Sequence, residues 1–184
     1  MPKISLKKIN SLKKNKIGIS ALTSYDASFA KLADNCGIDI ILVGDSLGEV
    51  IQGNSNTHSV TMDDMCYHTR IVSRGIKKAF LIADMPKNSY KTKNQALKNA
   101  KKLVAKNMAD MVKIEFKEKD IEIVEHLISH EILVCAHIGI LPQTIKNKSD
   151  YKKIGKTRDE ENRLINEAML IEKLGSQMLI VECV

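Results

Sequence analysis

Five apolar runs in this chain end on, or lead into, side chains that can ionise or bind a cation. Ile38 to Val43 runs into Gly44-Asp45-Ser46, Phe80 to Ala83 stops at Asp84, and Leu133 to Ala136 stops at His137. Met178 to Val181 stops at Glu182, and Met111 to Glu115 carries Lys113 and Glu115 two residues apart, on one face of a strand. In α/β folds ligands bind where the strands end, and in barrels several strands contribute to one site. Burying several carboxylates without cations is costly, so a divalent ion is expected among them. A donor set made of oxygen favours Mg²⁺ over zinc.

Each residue also has a plainer reading. Asp45 and Ser46 could cap a following helix, and Asp84 before Met85-Pro86 could open a turn. Lys113 and Glu115 could face solvent on an edge strand, and His137 could be a satisfied core histidine. Five consecutive strand ends would then need five unrelated explanations, which favours a shared site.

The elements that must hold these residues alternate. Short runs rich in Ile, Val and Leu, beginning with Ile17 to Thr23, suit parallel strands covered on both faces. Between them, Asp26 to Cys36 reads as a helix closed by Gly37. Thr61-Met62-Asp63-Asp64 and Thr157-Arg158-Asp159-Glu160 read as capping boxes, each opening a helix. Ala96, Ala100, Leu103, Val104 and Met108 form an amphipathic stripe, continued by Val124, Leu127 and Ile128 in the next segment. Strand and helix in alternation predict a parallel sheet, either doubly wound or closed as a barrel.

The composition excludes several function classes. A chain of 184 residues with 43% hydrophobic and 28% charged residues can bury a core and would make one domain. No apolar run approaches the roughly 18 residues of a membrane span, and the lysine-rich N-terminus lacks a signal-peptide pattern, so a cytoplasmic protein is expected. Cys36, Cys66, Cys135 and Cys183 are too scattered for a disulfide framework or a zinc site. Cys135 and Cys183 lie in apolar runs and should be buried. The net charge of +7 comes from spread lysines with only four arginines and few aromatics, so no nucleic-acid partner is expected. His58, His68, His126 and His130 share no ligand spacing and read as surface or structural residues, and no phosphate-binding glycine loop is present.

Six segments together resemble the ketopantoate hydroxymethyltransferase family. They are Leu22-Thr23-Ser24-Tyr25-Asp26, Leu42-Val43-Gly44-Asp45-Ser46-Leu47-Gly48, Ala83-Asp84-Met85-Pro86, Met111-Val112-Lys113-Ile114-Glu115, Ala136-His137-Ile138-Gly139 with Pro142-Gln143, and Val181-Glu182-Cys183-Val184. The resemblance implies an α/β (β/α)₈ TIM barrel of the phosphoenolpyruvate/oxoacid superfamily. It implies transfer of a hydroxymethyl group from 5,10-methylenetetrahydrofolate to 3-methyl-2-oxobutanoate, giving 2-dehydropantoate for pantothenate synthesis. By the same resemblance Asp45 and Asp84 bind Mg²⁺ with Glu115 close to it, and Ser46, Lys113 and His137 hold the oxoacid together with Asp45 and Asp84. The resemblance also makes Glu182 the general base and implies assembly as a homo-oligomer. Such roles suit the chemistry: the ion, Lys113 and His137 stabilise charge while Glu182 removes the C3 proton.

Some positions depart from the family pattern. Lys87-Asn88 stands where an apolar pair is usual, Phe116-Lys117 where glycines are usual, and Lys148-Ser149-Asp150-Tyr151-Lys152 in a normally glycine-rich segment. All lie in loops that could shape the folate pocket. The family pattern carries two strands beyond the sixth, so residues 1–184 are expected to form one incomplete barrel domain with six of eight strands. An inactive remnant serving as an interaction protein, and a lyase or mutase acting on a related oxoacid, are the competing readings.

Overall fold

The computed structural model describes residues 2–105, 108–145 and 148–184. Six strands, β1 (Ala21–Thr23), β2 (Ile40–Val43), β3 (Phe80–Asp84), β4 (Met111–Glu115), β5 (Val134–Gly139) and β6 (Met178–Glu182), form one sheet in the order β1-β2-β3-β4-β5-β6. Every neighbouring pair is parallel. A doubly wound sheet reverses its strand order at a switch point. This one does not, and purely sequential order is how consecutive barrel strands pair.

Helices α1 (Leu6–Lys14), α2 (Ala27–Asn35), α3 (Leu47–Val50), α4 (Met62–Gly75), α5 (Lys93–Val104), α6 (Ile121–Ser129) and α7 (Arg158–Lys173) fill the connections. The two capping boxes act as expected, whereas Asp26, read as the first residue of a helix, is instead the N-cap of α2. Asp26 Oδ1 accepts from Ser28 N and Phe29 N at 2.7 and 2.9 Å. Thr61 and Asp64 bond each other's backbone reciprocally, as do Thr157 and Glu160, satisfying amides that a helix start leaves without partners.

Period-two alternation divides the sheet between two apolar clusters. Ile41, Val43, Leu81, Ala83, Val112, Ile114, Val134, Ala136 and Ile138 pack toward the outer helices. Ile40, Phe80, Ile82, Met111 and Cys135 face the other way and are joined by Ile9 of α1. Along that second face the side chains turn from apolar to polar as each strand advances: Ile82 then Asp84, Met111 then Lys113 and Glu115, Cys135 then His137, Ile180 then Glu182. The site thus stands on top of an apolar inner layer.

Some expectations need correction. Of Ile17 to Thr23 only Ala21–Thr23 joins the ladder; Lys16 has φ 57° and Ser20 N is taken by the Asp39 carboxylate at 2.8 Å. Helix α1 has no counterpart in the sequence reading, because its lysines hide a stripe in which Ile9 alone is buried. Met108 continues the stripe of α5 in spacing only, since that helix ends at Val104. Strand β5 continues past Ala136 through His137 to Gly139, so His137 lies within the ladder. Cys183 is exposed, not buried, because at φ 56° it leaves the strand; Cys135 is buried as expected. All four cysteines are free thiols.

Asp34 of α2 holds the approach to β3. Its carboxylate accepts from Lys77 N, Lys78 N and Ala79 N at 3.1, 2.8 and 2.7 Å. Burial pushes this carboxyl up, but the three amides outweigh it and hold it below its ordinary value. Asp34→Ala orphans three amide donors and should lower the unfolding free energy by about 3 kcal/mol, read by denaturant titration. Because the folded pKa is the lower one, this contribution is complete above about pH 4. The part carried by the charged carboxylate fades as the pH falls through the folded value, so the gap between variant and parent should narrow in acid.

Candidate active site

Strand register brings the polar ends together. Asp84 on β3 is paired with Lys113 on β4, Glu115 with His137 on β5, and Gly139 with Glu182 on β6. Lys113 Nζ lies 2.7 Å from Asp84 Oδ1, and both side chains are almost fully buried. Asp84 Oδ2 accepts from the backbone amide of Asp45 at 3.0 Å, so the turn after β2 is anchored to the end of β3. Burial alone would favour neutral Lys113, but Asp84 and Asp45 outweigh it and raise its pKa, keeping the ammonium charged.

Gln143 ties in the remaining acids. It stands in a 3₁₀ turn, Pro142–Thr144, just after β5. Its side-chain Nε2 donates to Asp45 Oδ2 at 2.8 Å and to Met85 O at 3.0 Å, and its backbone N donates to Glu115 Oε1 at 2.9 Å. Ser46 opens α3 but makes no capping bond with its side chain; the hydroxyl pairs with Tyr25 Oη at 2.7 Å instead. His137 is fully buried, and its Nε2 lies 3.5 Å from Glu182 Oε1.

All seven residues singled out in the sequence therefore meet in one region. Asp45, Asp84, Lys113 and Glu115 are linked directly or through Gln143, with Ser46 adjoining Asp45. His137 and Glu182 form a neighbouring pair that senses the charge of Lys113. Burial drives the His137 ring down to about 3, so it is neutral and carries one N–H. Burial likewise raises Glu182, Lys113 lowers it and Asp84 raises it again, leaving a stronger base than an ordinary glutamate.

The acids outnumber the cations. Burial, then repulsion from Asp84, pushes Asp45 up to about 7, and burial pushes Glu115 up to about 8. Glu115 Oε2 is buried without a partner. Hard oxygen donors in excess of positive charge fit a divalent ion. Among the described residues no three His, Cys, Asp or Glu side chains form a ready metal cluster. Mg²⁺ does not need one, since it is commonly held by one or two carboxylates with water and substrate completing the shell.

Sequence reasoning gives no role to Gln143, Tyr25 or Tyr90. Gln143 and Tyr25 stand inside the family-like segments, but their types announce no chemistry. Tyr90, among lysines, carries no signal at all; its hydroxyl donates to Gln143 Oε1 at 2.8 Å. Of the other histidines, His68 Nδ1 pairs with Tyr25 O at 2.7 Å and His126 packs on His130, which suits the structural reading. Beyond Tyr90, Glu115 and Gln143 opens a cleft of about 450 Å³ whose wall includes Lys87, Lys91, Lys117 and Lys119. Two of these lysines, Lys87 and Lys117, stand at the departures from the family pattern. No helix among the described residues is long and apolar enough to cross a membrane.

Comparison with known proteins agrees with the geometry. The family profile described as ketopantoate hydroxymethyltransferase matches residues 3–184. The chain is 47% identical over its whole length to a 3-methyl-2-oxobutanoate hydroxymethyltransferase of Nitrosococcus oceani, of which it covers 70%. Among solved structures, it resembles a 2,3-dimethylmalate lyase of the PEP mutase/isocitrate lyase superfamily at 13% identity, with a TM-score of 0.70. That match covers 100% of this chain and 64% of the other. It also resembles a phosphonopyruvate hydrolase solved with oxalate and Mg²⁺, again at 13% identity, with a TM-score of 0.71, covering 99% of this chain and 63% of the other. The chain thus spans less than two thirds of these structures. At such identities the likeness concerns the fold, and it bears out the α/β-barrel class.

Proposed function

The chain belongs to the ketopantoate hydroxymethyltransferase family, and from that premise we propose that its site moves a one-carbon unit from 5,10-methylenetetrahydrofolate to 3-methyl-2-oxobutanoate, giving 2-dehydropantoate. The observation that carries this reading is the convergence of Asp45, Asp84, Lys113, Glu115, His137 and Glu182 at the ends of adjacent parallel strands. Asp45 and Asp84, with Glu115 close by, would hold Mg²⁺, which supplies Lewis acidity for negative charge developing on the keto oxygen.

The chain's own groups do the rest. Lys113, kept charged by Asp84, is placed to neutralise the oxoacid carboxylate. Ser46, oriented by Tyr25, offers a hydroxyl to the same group. His137 offers an N–H in a dry setting, where a hydrogen bond to a developing oxyanion is strong. Glu182, strengthened as a base, takes the C3 proton. Water cleaves both C–N bonds of the folate's methylene bridge, releasing tetrahydrofolate. The enolate carbon attacks the freed one-carbon aldehyde, whose oxygen takes the proton back from Glu182 and becomes the new hydroxyl. The lysine-lined cleft gives the negatively charged end of the folate a place beside Glu115. The protein is further read as one incomplete barrel domain, cytoplasmic and assembling with copies of itself, a reading supported by family membership.

Proton exchange tests the first half of this reaction without folate. With Mg²⁺ in D₂O the chain should exchange the C3 proton of 3-methyl-2-oxobutanoate. Glu182→Gln should slow that exchange about a thousandfold; exchange at the parent rate would remove Glu182 as the base. Appearance of label from methylene-folate in 2-dehydropantoate separates the transferase from a lyase or mutase with the same enolate chemistry.

A further inference from the structure

The geometry points to Tyr90 and Gln143 as a positioning pair that sets where the carboxylates of Asp45 and Glu115 stand, and through them the affinity of the site for its divalent ion. The inference rests on the metal-assisted reading above and extends it to two residues that reading does not use.

Donor and acceptor chemistry leaves the Gln143 amide one orientation. Met85 O can only accept, so the atom facing it at 3.0 Å must be the NH₂ group, which also donates to Asp45 Oδ2 at 2.8 Å. The amide oxygen then points the other way, onto Tyr90 Oη at 2.8 Å, and the phenol must be the donor. Meanwhile the backbone N–H of the same residue holds Glu115 Oε1 at 2.9 Å. One buried residue placed after β5 therefore grips the ends of β2, β3 and β4 together. It takes one oxygen from each of two acids, and the second oxygen of Glu115 remains buried and unpartnered.

Tyr90 is itself fixed from outside the site. The neighbouring carbonyl, Ser89 O, accepts from the buried Asn99 side chain of α5 at 2.7 Å. The chain of contacts runs from α5 through Ser89 and Tyr90 to the Gln143 amide and then to Asp45. Groups that orient metal-binding carboxylates are commonly worth a tenfold to hundredfold change in metal affinity.

The test is calorimetric titration of Mg²⁺ in the presence of 3-methyl-2-oxobutanoate, at a temperature where circular dichroism shows every variant folded. Gln143→Leu keeps the volume and the backbone N–H but loses the amide, and should weaken Mg²⁺ binding by about tenfold to hundredfold. Tyr90→Phe keeps the ring and removes only the donor to the amide, and should weaken binding several-fold. Because both act through one amide, the double variant should bind no worse than Gln143→Leu alone. If Gln143→Leu does not fold, Tyr90→Phe and Gln143→Met carry the comparison. Parent-like Mg²⁺ affinity in the folded variants, or effects of the two changes that simply add, would overturn the inference. A parent chain that binds no Mg²⁺ with the oxoacid would instead remove the metal-assisted reading, and this inference with it.

Discussion

Lys113→Met is expected to lower the unfolding free energy by about 3–5 kcal/mol and to abolish proton exchange at the oxoacid. The cause is the partner left behind. Asp84 is almost wholly buried, and Lys113 Nζ is the cation on its Oδ1 at 2.7 Å. Removing the ammonium leaves a carboxylate in a dry site beside Asp45, whose own carboxyl is already pushed up to about 7. The damage should therefore exceed that of losing one ordinary ion pair. A second change isolates the reason. Asp84→Asn added to Lys113→Met removes the uncompensated charge, while its side-chain oxygen can still accept from Asp45 N, a bond of 3.0 Å in the parent. The double variant should recover about 2–3 kcal/mol of the loss in denaturant unfolding yet remain inactive. A double variant as unstable as Lys113→Met alone would mean that packing, not charge, explains the penalty.

Gly139→Ala should be nearly as damaging, through the backbone. Gly139 has φ +96°, a conformation that side-chain-bearing residues rarely adopt. A Cβ there would collide with the carbonyl oxygen of Glu182 and lie 2.9 Å from its backbone nitrogen. The same carbonyl accepts from Ile140 N at 3.0 Å, so the end of β6 is fastened to β5 at this residue. Destabilisation of about 3 kcal/mol or more is expected from strain and collision together. The loss that matters more is positional. Glu182 would be pushed away from the oxoacid, and displacement of a reacting group by about 1 Å can cost on the order of a hundredfold in rate. C3 exchange measured on the folded fraction of Gly139→Ala reads the effect directly. An unchanged rate would show that Glu182 is held by other contacts.

Much of the fold was legible because the signals were local. The capping boxes at Thr61 and Thr157 are decided within four residues of chain, and each forms the bonds its spacing implies. Strand β4 begins and ends where its apolar and polar residues said it would. Helix α1 was hidden because its role is to cover the inner face with Ile9, a contact no local pattern among lysines announces. Cys183 misled because an apolar neighbourhood in sequence says nothing about where the backbone turns next.

The candidate site divides along the same line. Residue type and position at strand ends marked Asp45, Ser46, Asp84, Lys113, Glu115, His137 and Glu182, because an ionisable residue ending an apolar run is unusual enough to ask for a reason. Gln143, Tyr90 and Tyr25 have no such mark. Their importance comes from which acceptors they meet, and those acceptors lie up to 98 residues away in the chain. Short-range spacing and solvation were enough to specify most strands and helices, the caps between them and the chemical types brought to the strand ends. Other outcomes emerged when distant segments met: the sequential pairing of the strands, Asp84 facing Lys113 rather than water, and a single permitted orientation for one glutamine amide. These depend on register and on burial, which no residue can specify without its partners.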